Sequence, residues 1–153
     1  MIAELGTVSS GTMRKEDLIP AFIDTLRQHN PEHALIAEYD ALPDELDELT
    51  EEQEEQTDYM LEELFDALNE YAPLFCYFGA HPGNGSDYGF WFNDDTLDDA
   101  IRYGECIAIE DHLDAEEVEM LITAAGAEYA CHVNDHGNVT IYDCNGQIIL
   151  EIV

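Results

Sequence analysis

Residues 44–70, DELDELTEEQEEQTDYMLEELFDALNE, decide how the chain is read. Met60, Leu61, Leu64, Phe65, Leu68 and the following Tyr71 recur at steps of one, three and four residues, which places them on one side of a helix. Glu55, Asp58, Glu62, Asp66 and Glu70 fall on the opposite side. Thr50, followed three residues later by Gln53, has the form of a capping box. Ala72-Pro73 marks the end, because the residue before a proline is pushed out of helical geometry. The spacing predicts a helix over about 51–71.

The acidic side of this helix has a cost. Like charges at i, i+4 destabilise a helix by about 0.2–0.5 kcal/mol per pair. Asp58–Glu62, Glu62–Asp66 and Asp66–Glu70 form a row of such pairs, and no basic residue in the stretch neutralises it. A lysine at any of these positions would relieve the row at almost no structural cost, so its absence points to selection for the negative face itself. Residues 44–70 hold 13 carboxylates. If wholly helical, they would span about 40 Å at about 1.5 Å per residue. That is one charge per about 3 Å, close to the roughly 3.4 Å per phosphate along one DNA strand.

The rest of the chain shares this bias. Its 153 residues carry 36 Asp and Glu against Arg14, Lys15, Arg27 and Arg102, for a formal net charge of −32. Residues 28–101 contain 21 acids and no Lys or Arg. Yet 46% of the residues are apolar, the content of a globular protein and not of a disordered acidic tail. A chain of this size buries about 68–70% of its surface on folding. The expectation is one acidic α+β domain over residues 1–153. Such a polyanion repels nucleic acid and anionic membrane and attracts basic surfaces, so direct nucleic-acid or membrane binding is excluded as a function.

The N-terminal MIAELGTV lacks the basic and apolar regions of a signal peptide. No apolar run approaches the roughly 20 residues of a membrane span. Cys76, Cys106, Cys131 and Cys144 are widely spaced, without a C-x-x-C pair, and read as reduced, mostly buried thiols of a cytoplasmic protein. For a phage-encoded protein that compartment would be the host cytoplasm.

Elsewhere the elements follow from period and punctuation. Residues 6–13, GTVSSGTM, are a polar lead-in. Leu18, Ile19, Phe22, Ile23 and Leu26 predict a helix over 17–29, with Asp17 as N-cap and Pro20 in the first turn. A short helix over 32–41 precedes Pro43. LFCYFG (74–79) and YGFWF (88–92) are aromatic β-type runs separated by AHPGNGSD, which predicts a hairpin with a long loop. A short helix at 95–103 and a strand at 105–109 follow. Asp114 and Glu117 form a second capping box for a helix over 115–125, and Gly126 stops it. Strands 127–133, 139–144 and 147–152 turn at Asp135-His136-Gly137-Asn138 and at Asn145-Gly146. Helices come first and mixed elements after. The fold class is α+β, with N-terminal helices packed on an antiparallel sheet that ends in a three-strand meander.

The candidate site is the set of carboxylates Asp44, Glu45, Asp47, Glu48, Glu51, Glu52, Glu54, Glu55, Asp58, Glu62, Glu63, Asp66 and Glu70, with Asp94, Asp95, Asp98 and Asp99 as a second patch. They would contact a basic or DNA-binding protein. Other stretches hold residues capable of chemistry. His81, Asp87 and Cys76 flank or lie in HPGNGSD (81–87), but their spacing fits no nucleophile–base or metal pattern, and a glycine-rich hairpin loop is the simpler account. Tyr77, Tyr88, Phe90 and Trp91 beside it suit an interface or, more often on strands, a core. SSGTMRK (9–15) has the composition of a phosphate cradle without P-loop spacing, and the global field opposes an anion. His112, after Glu110-Asp111, and His132, near Asp135-His136, could ligate zinc, but no pair has H-x-x-x-H or H-x-H spacing on one element, since His132 falls on a strand and His136 in the turn after it, and no EF-hand pattern occurs. No catalytic residue, metal site or cofactor is expected, and the protein is not expected to be an enzyme.

Two plain readings stand beside the sharp one. Charge runs are usually solvated faces, and proteins of salt-saturated cytoplasm are acidic and lysine-poor, as this chain is. Four cysteines and an isoleucine-rich C-terminus do not especially support a halophilic origin.

GTVSSGTMRKEDLIPAF (6–22) and YFGAHPGNGSDYGFWF (77–92) together resemble an uncharacterised family of small acidic proteins encoded by phages, plasmids and some bacteria. The resemblance covers about the first 110 residues. It implies a mobile-element setting and carries no catalytic residues to transfer. In charge and size the chain is also similar to DNA-mimic anti-restriction and anti-CRISPR inhibitors, without matching a motif of any of them. The leading expectation is therefore a DNA-mimic inhibitor of a DNA-binding defence protein. The alternative is an acidic immunity or adaptor protein for one basic partner, and behind it a hydrolase or metal enzyme around His81 and Asp87. A homodimer would match a DNA groove longer than one such domain, although this much charge opposes self-association at low salt.

Overall fold

A computed structural model describes residues 3–46, 48–110 and 113–152. The fold is α+β, with five helices and two sheets among the described residues. The chain divides into two compact units, Met1–Trp91 and Phe92–Val153.

The first unit runs β1 (Gly6–Ser9), α1 (Lys15–His29), α2 (Ala34–Asp40), α3 (Glu51–Asn69), β2 (Cys76–His81) and β3 (Asn84–Phe92), with strand order β1-β3-β2. Its core joins Leu18, Phe22 and Leu26 of α1 to Met60, Leu64 and Leu68 of α3 and to Phe78, Tyr88 and Phe90 of the hairpin. Phe22 is fully buried, and its ring meets Phe78 at 5.0 Å and Phe65 at 5.2 Å, both edge-on. Such geometry sets the positive edge of one ring on the negative face of the next. Of the four aromatics beside HPGNGSD, Tyr88 and Phe90 are thus core residues, while Tyr77 and Trp91 are only part-buried.

α3 forms as predicted. Both halves of the Thr50–Gln53 capping box are made. The helix ends at Asn69, whose Oδ1 accepts the Phe78 backbone N–H at 2.9 Å and ties the helix end to β2. The strand then starts at Cys76 and not at 74, because Phe75 takes a left-handed conformation, φ 63°, to make the corner.

Three predicted features change. α1 begins at Lys15, with Arg14 as N-cap in place of Asp17. Asp17 instead accepts the Thr12 hydroxyl at 2.7 Å, and it shares the first turn with Glu16, where carboxylates suit the positive helix end. Pro20 consequently lies inside the helix. The polar lead-in becomes strand β1, paired antiparallel to β3 in the register Gly6↔Phe90, Thr7↔Gly89, Ser9↔Tyr88. A Cβ on Gly89 would lie 2.0 Å from the Gly6 carbonyl oxygen, and Gly6 has φ +133°, so this pairing needs glycine at both positions. Finally, the long hairpin loop contracts to Pro82-Gly83, because Asn84 to Asp87 already belong to β3.

The second unit runs α4 (Asp94–Arg102), β4 (Cys106–Ala108), α5 (Ala115–Ala125), β5 (Tyr129–Val133), β6 (Val139–Tyr142) and β7 (Ile148–Ile152), with strand order β4-β5-β6-β7. β5, β6 and β7 are the predicted antiparallel meander. β4 joins it parallel to β5, with α5 as the crossover that a parallel pair requires. The Asp114–Glu117 box is complete, and Gly126 ends α5 with φ 69°. Val118 and Ile122 pack on Ala130. The β6–β7 turn spans 143–147, longer than an Asn-Gly hairpin, because Asp143 Oδ1 accepts both the Asn145 and Gln147 N–H groups. The strands thus build two sheets, and the N-terminal helices pack on the first.

Candidate functional site

The acidic face of α3 is set from behind. Thr57, Met60, Leu64, Ala67 and Leu68 are buried, which turns Glu51, Glu52, Glu54, Glu55, Asp58, Glu62, Glu63 and Asp66 outward, and Glu70 follows at the C-cap. At about 100° per residue these side chains fan over roughly half the helix circumference. The helix carries 8 carboxylates in 19 residues, about one per 3.6 Å of its roughly 28 Å length. Asp44, Glu45 and Glu48 are also exposed, but residues before Thr50 are turns, and Leu46 is buried among them. The fully helical line of about 40 Å is therefore not formed. Asp47 lies outside the described residues.

The row is not wholly uncompensated. Lys15, the one lysine, reaches from the first turn of α1 to Glu54 Oε2 at 3.2 Å and Asp58 Oδ1 at 2.9 Å. The hydrogen bond to Asp58, more than anything else, holds its amine above the ordinary lysine range. Arg14 pairs with Glu16 at 3.6 Å, and Arg27 with Asp40. The cations of SSGTMRK are thus committed to carboxylates, which removes the charges a phosphate cradle would use. Glu55, Glu62, Glu63 and Asp66 enter no ion pair found among the described residues.

Sequence reasoning also missed Tyr59. Its side chain is 70% exposed, beside a shallow concavity of about 250 Å³ bounded by Glu55, Asp58 and Glu62. The signal was present, since Tyr59 falls off the apolar period and onto the acidic arc. Lys15 gave no local signal, because its partners lie 39 and 43 residues away.

The second patch stands on α4 of the other unit. Asn93 caps it by accepting the Asp95 N–H at 3.1 Å. Leu97 and Ala100 face inward, so Asp94, Asp95, Asp98 and Asp99 are exposed.

The alternative centres take structural roles. His81 meets Trp91 edge-on at 4.7 Å, and its Nδ1 accepts the Gly83 N–H at 2.9 Å. Trp91 Nε1 donates to the Gly79 carbonyl at 3.0 Å. Burial pushes the Cys76 thiol up to about 11, away from an activated nucleophile. Among the described residues no three His, Cys, Asp or Glu side chains gather where a metal could bind. His132 Nδ1 lies 3.2 Å from the Ile109 carbonyl, and His112 is outside the described residues. Cys106 and Cys131 are buried, with their thiols hydrogen-bonded to each other, which raises Cys106 and lowers Cys131. Cys76 is half-buried, and Cys144 is the exposed one, in the β6–β7 turn.

No described helix is long and apolar enough to cross a membrane. Comparison with models of protein families, with curated proteins and with solved structures finds no match.

Proposed function

We propose that this protein is a DNA-mimic inhibitor that occupies the cationic nucleic-acid groove of a DNA-binding defence protein, of anti-restriction or anti-CRISPR type, in the host cytoplasm. One observation carries the reading. Glu55, Glu62, Glu63 and Asp66 stand exposed and without a described ion pair on a helix whose other side is anchored in a closed core. A polyanion held rigid in this way presents charge at nearly phosphate spacing to rows of arginine and lysine, and association gains from electrostatic complementarity and counterion release. The resemblance to proteins of mobile elements agrees with such a role. Replacement of Glu55, Glu62, Glu63 and Asp66 by lysine should abolish capture of DNA-binding proteins from host lysate while the circular dichroism spectrum stays native. Wild-type capture should weaken steeply between about 50 and 200 mM salt and yield to duplex DNA. Capture retained by the lysine variant would refute the reading.

Tyr59 favours a second reading, an immunity or adaptor protein for one basic partner. An exposed aromatic ringed by carboxylates has the make-up of an interface hot spot with charge serving association rate. Tyr59→Ala would then cost more affinity than any single acid, and duplex DNA would not compete.

A further inference from the structure

β1 is an edge strand whose one strand neighbour among the described residues is β3. Beside it lies a cavity of about 680 Å³ lined by residues 3–8, by Thr25, Gln28 and His29 of α1, and by Phe90. Alternate residues of a strand point to opposite faces. The cavity touches Gly6, Thr7 and Val8 of β1 in succession, with residues 3–5 that lead into the strand, and so runs along the main chain itself, where the open edge of β1 makes a template for another strand.

The lining also selects a charge. It contains Glu4 and no Lys or Arg. Gln28 and His29 close the C-terminal end of α1, the negative end of its dipole. His29 is stacked on Tyr71 at 5.0 Å, and its Nδ1 is buried without a hydrogen-bond partner. A buried polar atom left this way gains from any hydrogen-bond partner brought to it.

We infer that this groove receives an extended, basic segment of a partner protein, which adds as a strand to the open edge of β1 and sets an arginine or lysine side chain against Glu4, Gln28 and His29. Main-chain pairing supplies the register, and the pocket beside it supplies selectivity for a cationic side chain. The net charge of −32 brings such a segment in and disfavours a second copy of this chain. The inference does not depend on the role of α3.

The test uses the whole protein and a short synthetic peptide of alternating valine and arginine, at about 0.15 M salt, where fields beyond about 8 Å are screened. The peptide should bind saturably and slow amide exchange in residues 4–8. An analogue of equal charge, N-methylated at alternate residues, should bind roughly tenfold more weakly, because it cannot pair with a strand edge. A citrulline-for-arginine analogue should also weaken, as should the protein variant His29→Phe, which keeps a ring on Tyr71 and loses the ring nitrogens. Glu55, Glu62, Glu63 and Asp66 changed to glutamine should leave the peptide affinity within about twofold, so failure of the α3 proposal and failure of this one remain separable. Equal binding of the plain and N-methylated peptides, or exchange protection confined to α3, would overturn the inference.

Discussion

Lys15 Nζ sits 2.9 Å from Asp58 Oδ1, and this contact joins the first turn of α1 to the acidic face of α3. It is a structural counter-ion at one end of a row that otherwise faces solvent. The amine is held above its ordinary value of 10.5. A group whose folded value is raised contributes stability that is fully present below the unfolded value and is lost as pH rises through the folded one. Unfolding by urea should therefore become easier above pH 10.5 in the wild type. Lys15→Met should lower stability by about 0.2–1 kcal/mol at neutral pH and flatten that alkaline loss. The same variant leaves Glu54 and Asp58 bare, so on the DNA-mimic proposal it binds its target more tightly than the wild type. Unchanged stability and unchanged affinity in one variant would show the contact to be idle.

Gly89 and Gly85 make a matched pair on β3. A methyl at Gly89 would meet the Gly6 carbonyl oxygen, while a methyl at Gly85 meets nothing within 4 Å. Gly89→Ala is expected to cost about 1–3 kcal/mol and to loosen β1. Gly85→Ala should stay within about 0.5 kcal/mol of the wild type. Thermal melts together with amide exchange at Thr7 separate the two.

The four cysteines should react in an order set by burial. Cys144 is exposed, Cys76 is half-buried with a thiol near 11, and Cys106 and Cys131 are buried. A maleimide at neutral pH should label Cys144 first, and Cys106 and Cys131 should label only in denaturant. Mass spectrometry of partially labelled protein reads the sequence of events. Early labelling of Cys131 would mean that the second unit opens far more readily than its packing implies.

Salt separates function from habitat. A protein adapted to salt-saturated cytoplasm loses its fold in dilute buffer. On the proposed function the acidity is instead a binding surface on a core that closes around Phe22 without salt. The chain should melt cooperatively at about 50 mM salt, with a melting temperature that rises modestly by about 200 mM as surface repulsion is screened. An unfolded far-ultraviolet spectrum at the lower salt would favour the halophilic account.

What the sequence reveals here is whatever is local. Apolar spacing gives the buried side of α3, and Thr50–Gln53 and Asp114–Glu117 mark helix starts to the residue, because those signals lie within a turn or two. β1 escapes notice because its pairing depends on two glycines 83 positions apart meeting backbone to backbone. β4 is assigned as a strand, but nothing in period or composition tells that it lies parallel to β5. The carboxylates of the site are legible as residues. Which of them are already compensated is not, because Lys15 comes from another element.

Trp91 is the only tryptophan, and it lies in β3 with its ring against the edge of His81 and its N–H on the Gly79 carbonyl. Its fluorescence therefore reports the β2–β3 hairpin and nothing else. The chain thus contains its own optical probe of the first unit, readable without a label while a partner is added.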